Sequence, residues 1–168
     1  YFANFNIGAF TYLEQVAVGR LPAYTTTEAQ AMVDNIIMYE SRNPDSWMKN
    51  ILFVVGGGTA TDQTFNQSLI LPFISNYVNP PPVSGIDHKA FRIDNTTTVT
   101  YNYKDSVRRD INNGDLIVNF QGHAGYENWE DAMQEPSTLN NPGKLPMIWS
   151  MTCYTGKTAD NAKRSFGE

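Results

Sequence analysis

With one cysteine, Cys153, the 168-residue chain has no internal disulfide. Its only two histidines, His88 and His123, lie far apart and give no zinc-ligand spacing. No apolar run approaches the ~20 residues of a membrane helix. The longest, such as Ile51 to Val55, are strand-sized, so no membrane span is expected in this segment. The charge is also unblocked: 12 Lys and Arg against 17 Asp and Glu give a net charge of -5 spread along the chain. Nucleic acid and anionic membranes therefore find no positive surface. Tyr1 opens the sequence with no basic n-region or cleavage-site pattern, and any export signal is expected outside it. Ser165 to Glu168 reads like a helix beginning, so both ends read as cut.

What is present is enough for one core. Hydrophobic residues make up 41% of the chain, which suits one domain or part of one held by packing. Thr25-Thr26-Thr27-Glu28 is a capping box, and Ala29, Met32, Val33, Ile36 and Ile37 follow on one stripe, predicting a helix over 26–40. Ile51 to Val55, closed by Gly56-Gly57-Gly58, reads as a strand buried on both faces. A helix over 65–77 follows, with Pro72 forcing a kink or a late start, and Pro80 to Pro82 mark a surface connection. A short strand over 89–93 and a helix over 103–113, capped by Gly114, come next. Two further buried strands are expected, over 116–120 and 147–151. Strands alternating with helices imply a parallel sheet covered on both faces.

Loops beyond the carboxyl ends of parallel strands are where reacting groups gather. His123 emerges three residues after one late strand and Cys153 two after the other, which should be parallel neighbours. An imidazole beside a thiol favours the thiolate and can later protonate a leaving amine. Taken singly, each residue has a plainer reading. A free cysteine is often core filler, and a lone histidine is often a hydrogen-bonded loop residue. Their joint placement is what points to chemistry. Gly56-Gly57-Gly58-Thr59 lacks the lysine and spacing of a nucleotide loop, so a nucleotide-binding domain is the weakest reading. His88, at the other end of its strand, reads as structural.

Gly19-Arg20-Leu21-Pro22 with the helix from Glu28 resembles a segment of the gingipain-like cysteine peptidases, peptidase family C25. So do Ile111 to His123, a glycine turn, a strand and Gly-His, and Lys144 to Cys153, a strand and nucleophile; Trp129 stands where relatives often carry tryptophan. The resemblance implies a caspase-like three-layer α/β/α sandwich with a mostly parallel sheet, incomplete at both ends, of which residues 1–168 are part of a single peptidase domain. It implies a cysteine-type endopeptidase working through a thioester, with Cys153 as nucleophile, His123 as acid-base partner, and the amides of Ala124 and Cys153 as oxyanion hole. Asp62, Trp129 and Tyr154 are expected to bind substrate.

Departures from the family pattern carry expectations of their own. Ala124 replaces a usual glycine, Gly56 replaces a usual acid, and Thr64 falls near the acidic position of arginine-specific members. Asp62, Glu127 or Asp131 is then left to orient the histidine, and strict arginine specificity is not expected. No cofactor or metal is expected; calcium enters by resemblance only. The partners implied are a protein or peptide substrate and the remainder of the same polypeptide, with export to the outside or surface of a bacterium. The alternative is a catalytically inactive domain of this fold serving binding or scaffolding.

Overall fold

The structure is a computed structural model that describes residues 18–92, 103–158 and 163–167. Its centre is the apolar run after Asn50. Strand β1 (Asn50–Val55) lies between β2 (Ile86–Phe91) and β3 (Ile117–Gln121), and β4 (Met147–Met151) follows β3. The order is β2-β1-β3-β4, every pairing parallel. Helices cover β1 on both faces, which is why it is apolar at every position instead of alternating. Leu52 and Val54, with Val118 and Phe120 of β3, pack on Val107 and Ile111 of α3 (Tyr103–Asn113). Ile51, Phe53 and Val55 pack on Ile70 of α2 (Ala60–Phe73) and on the π-helical turn Ile74–Val78. This is the three-layer α/β/α arrangement that the sequence implies.

Helix α2 starts five residues before the expected Phe65. A second capping box explains it: Asp62 N–H donates to Thr59 Oγ1 and Thr59 N–H to Asp62 Oδ2, both at 3.2 Å. Pro72 sits inside the helix without an N–H to donate, and the next turn widens so that Asn79 N–H reaches Ile74 O at 3.0 Å. Strand β2 begins at Ile86 rather than Lys89, and Ile93 lies outside the described residues. Helix α1 (Thr26–Ser41) is capped by Thr25 as expected, its Oγ1 accepting the Glu28 N–H at 3.2 Å, while the Glu28 carboxylate reaches back to accept the Tyr24 N–H at 2.8 Å.

One expectation about burial needs correction. Strand β4 is not buried: Met147, Trp149 and Met151 are 59%, 46% and 64% exposed. It is the last strand of the four and, among the described residues, has a neighbour on one side only. The apolar stripe of α1 is likewise open at Val33, Ile36 and Ile37. The segment at Ser165 is a turn, not a helix start, over its described residues, and Phe166 packs on Trp129 at 4.4 Å.

At the opposite end of the sheet from Cys153, His88 takes the structural role expected of it. Its Nδ1 lies 3.0 Å from Oδ1 of fully buried Asp115. Burial pushes the Asp115 carboxyl up to about 6 from 3.8, with nearby Asp110 adding to the rise and His88 opposing it. A carboxyl raised in the folded state favours folding when protonated, so its contribution is full below 3.8 and is lost as pH rises through about 6. Asp115→Asn should therefore gain on the wild type by up to roughly 3 kcal/mol between pH 4 and pH 7.5. Denaturant unfolding of both proteins at those pH values checks this, and a difference independent of pH contradicts it.

Candidate active site

Strands β3 and β4 end in register, Gln121 opposite Met151. His123 and Cys153 each stand two residues beyond that pair, so both leave the same edge of the sheet from adjacent parallel strands. The two loops remain joined past the strand ends, where Thr152 Oγ1 donates to Gly122 O at 2.8 Å. Cys153 is a free, exposed thiol. The His123 side chain is 69% exposed, and its Nε2 lies 3.9 Å from Asp62 Oδ2 in the first turn of α2. A cleft of about 390 Å³ opens beside it, lined by Asp62, Phe65, Asn66, Leu69, His123 and Met151. His123 lines this groove and Cys153 does not; the imidazole and the thiol stand at neighbouring strand ends, an arrangement suited to attack on a bound carbonyl.

The loop after β4 turns sharply. Tyr154, directly after Cys153, has φ 59, a left-handed conformation that residues other than glycine seldom adopt. Thr155 N–H closes back on Cys153 O at 2.7 Å, and Gly167 N–H donates to Thr155 O at 3.0 Å. The Tyr154 ring stacks on Tyr126 of the β3 loop, centroids 5.1 Å apart and planes at 13°. The Lys157 ammonium sits 4.9 Å above Tyr126 and donates to its hydroxyl. Tyr154 is exposed beside Cys153, within a platform that ties the two loops together.

Trp129 is elsewhere than expected. It is fully buried, stacked on Phe120 at 4.6 Å and on Phe166 at 4.4 Å, with its Nε1 donating to Ser150 Oγ at 2.9 Å. A large ring with one N–H fills the space under the β3–β4 connection, where no substrate reaches it. Of the three carboxylates named to orient the histidine, Asp62 faces the ring. Asp131 pairs with Arg92 at 2.7 Å, and Glu127 is exposed on the surface. Ala124 is half-buried against the core on the α3 side. The residue that sequence reasoning missed is Glu130, whose carboxylate accepts the backbone N–H groups of His123 and Gly57. No spacing connects position 130 with 57 or 123; the glycines ending β1 and β3 were the only trace of it.

The model of peptidase family C25 matches residues 1–168. The Arg specific cysteine proteinase gingipain R superposes with a TM-score of 0.69 at 19% identity, over 95% of this chain and 37% of that one. A complex of the Porphyromonas gingivalis RgpB pro- and mature domains gives 0.67 at 19% identity, over 91% and 36%. A "Probable alpha-glucosidase" of Oryza sativa subsp. japonica is 30% identical over 105 residues, 53% of this chain and 11% of that protein. The chain thus spans little more than a third of its solved neighbours and 11% of the curated relative. At 19% identity the structural likeness speaks for the fold, which is caspase-like. The match over the whole chain decides the rest: this chain belongs to peptidase family C25 and is a cysteine-peptidase-type domain.

Proposed function

We propose that the protein is a cysteine endopeptidase in which Cys153 and His123 hydrolyse peptide bonds through a thioester. The observation that carries this reading is the in-register ending of β3 and β4, which sends both residues out of one sheet edge. His123 takes the Cys153 proton, and the sulfur attacks the scissile carbonyl carbon. The tetrahedral oxyanion is met by backbone amides, for which those of Ala124 and Cys153 are the candidates. As the C–N bond breaks, His123 gives its proton to the leaving amine. Water, deprotonated by His123, then attacks the thioester, releasing the acid and restoring the thiol. These steps call on no cofactor. A bound calcium ion would have to serve some other purpose.

Residues 1–168 are part of one peptidase domain in this reading, and the remainder of the polypeptide covers its open apolar surfaces. Support comes from the exposed side chains of β4 and from a groove of about 430 Å³ between α2 and the sheet, lined by Phe53, Leu69, Phe73, Tyr77, Trp149 and Met151. Apolar surface left in contiguous patches on a protein marks a contact with other polypeptide. Among the described residues no helix is long and apolar enough to cross a membrane. Export to the outside or surface of a bacterium is proposed from the family resemblance.

Substrate choice follows from the cleft. Thr64 lies on α2 with its hydroxyl donating to Ala60 O, and it brings no charge to a guanidinium. Among the described residues Asp62 is the one carboxylate lining the groove, and it already accepts the Thr59 N–H. Cleavage of a peptide library by the full-length protein should therefore not be confined to sites after arginine. Exclusive cleavage after arginine contradicts the proposed subsite. A folded protein that cleaves nothing supports the catalytically inactive domain for binding or scaffolding, a reading favoured by Ala124 standing directly after His123.

A further inference from the structure

We propose that Glu130 is a positioning residue for His123, a carboxylate that locks together the loops leaving β1, β2 and β3. The catalytic meaning of this role rests on the peptidase reading; the clamp itself does not. Glu130 Oε1 and Oε2 lie 3.2 and 3.3 Å from the Gly57 N, after β1. His123 N–H, after β3, donates to Oε1. Arg92, directly after β2, donates from Nη1 to Oε2 at 2.9 Å. One side chain, 10% exposed, thereby ties the carboxyl ends of three neighbouring strands.

Two further observations point the same way. A β-carbon on Gly56 would lie 2.9 Å from Glu130 Oε1, and one on Gly122 only 2.7 Å away. Both strand ends are bare where the carboxylate sits, so the glycines form its seat. Glu130 itself holds φ 37 at the tip of the tight turn in which Met133 N–H donates to Trp129 O. A glutamate kept in that conformation, where glycine or asparagine is easier, is held by what its side chain binds.

Every one of these partners is a donor: two backbone amides and a guanidinium. The side chain must therefore accept on both oxygens, which a carboxylate does and a carboxamide cannot. Without it, the His123 backbone loses its anchor to β1 and to Arg92, and the imidazole no longer has a fixed place over the strand end. A displacement near 1 Å is enough to cost on the order of 100-fold in a reaction that depends on alignment.

The test uses the full-length protein and the variants Glu130→Ala, Glu130→Gln and His123→Ala. In both Glu130 variants, hydrogen exchange of the segment 121–125 should quicken by roughly tenfold or more, the loss expected for a bond to a charged acceptor. The segments within β1 and within β3 up to Phe120 should exchange as in the wild type. The pH midpoint for alkylation of Cys153 by iodoacetamide should move toward that of His123→Ala, and kcat should fall with KM little changed. Glu130→Gln has the wild-type shape, so its agreement with Glu130→Ala separates lost acceptors from lost packing. Unchanged exchange and midpoint overturn the proposal, as does equal acceleration throughout β1 and β3, which marks a merely structural residue. If the wild type and His123→Ala share one midpoint, the dyad fails, while exchange of 121–125 still decides for or against the clamp.

Discussion

Trp129→Ala should destabilise the full-length protein by about 4 kcal/mol, the range for removing a large aromatic side chain from a closed core. The ring touches aromatic neighbours on two sides, Phe120 beneath β3 and Phe166 from the final turn. Neither can collapse into the void without leaving its own partners. Its N–H also reaches Ser150 Oγ, which in turn bonds Thr155 Oγ1 at 2.9 Å, so deletion frees a short polar chain under the Cys153 loop. Trp129→Phe keeps much of the stacking and loses the hydrogen bond, and should cost a smaller amount, about 1–2 kcal/mol. Denaturant unfolding followed by circular dichroism measures both. A cost below about 1 kcal/mol for the alanine variant contradicts the closed packing described here.

The parts of the fold that were legible in the sequence are those fixed by local pattern. Ile51 to Val55 had to be a doubly covered strand because no position alternates, and the α3 residues Val107 and Ile111 fall inward as their spacing requires. The neighbouring parallel strands β3 and β4 followed from two apolar runs separated by a long connection. Where the reading slipped, the deciding interaction was short-ranged but chemically unobvious, or it was not local at all. The start of α2 depends on Asp62, a carboxylate one methylene shorter than the glutamate usual in a capping box. The exposure of β4 depends on which surfaces are covered, and no pattern within Met147 to Met151 records that.

The candidate site divides in the same way. The placement of His123 and Cys153 just beyond two neighbouring strand ends was legible because strand ends in a parallel sheet have a fixed meaning. Trp129 was not, since an aromatic residue in a loop reads alike whether it faces a substrate or fills a core. Glu130 lay further still from view. Its partners come from positions 57, 92 and 123, and only the folded chain brings them to one carboxylate.

The proposed chemistry makes Cys153 indispensable. Cys153→Ala should reduce peptide hydrolysis by about 10⁴-fold or more, since removing a nucleophile removes the covalent route altogether. Folding should be spared, because the thiol is exposed and fills no core space. The most direct measurement is peptide-mapping mass spectrometry of the full-length protein after treatment with a peptidyl acyloxymethyl ketone, beside the His123→Ala variant. The expected result is a single adduct on Cys153 whose formation slows by about 10²–10⁴-fold without the imidazole. An unmodified Cys153, under conditions that label a reference cysteine peptidase to completion, contradicts the assignment of this thiol as the nucleophile.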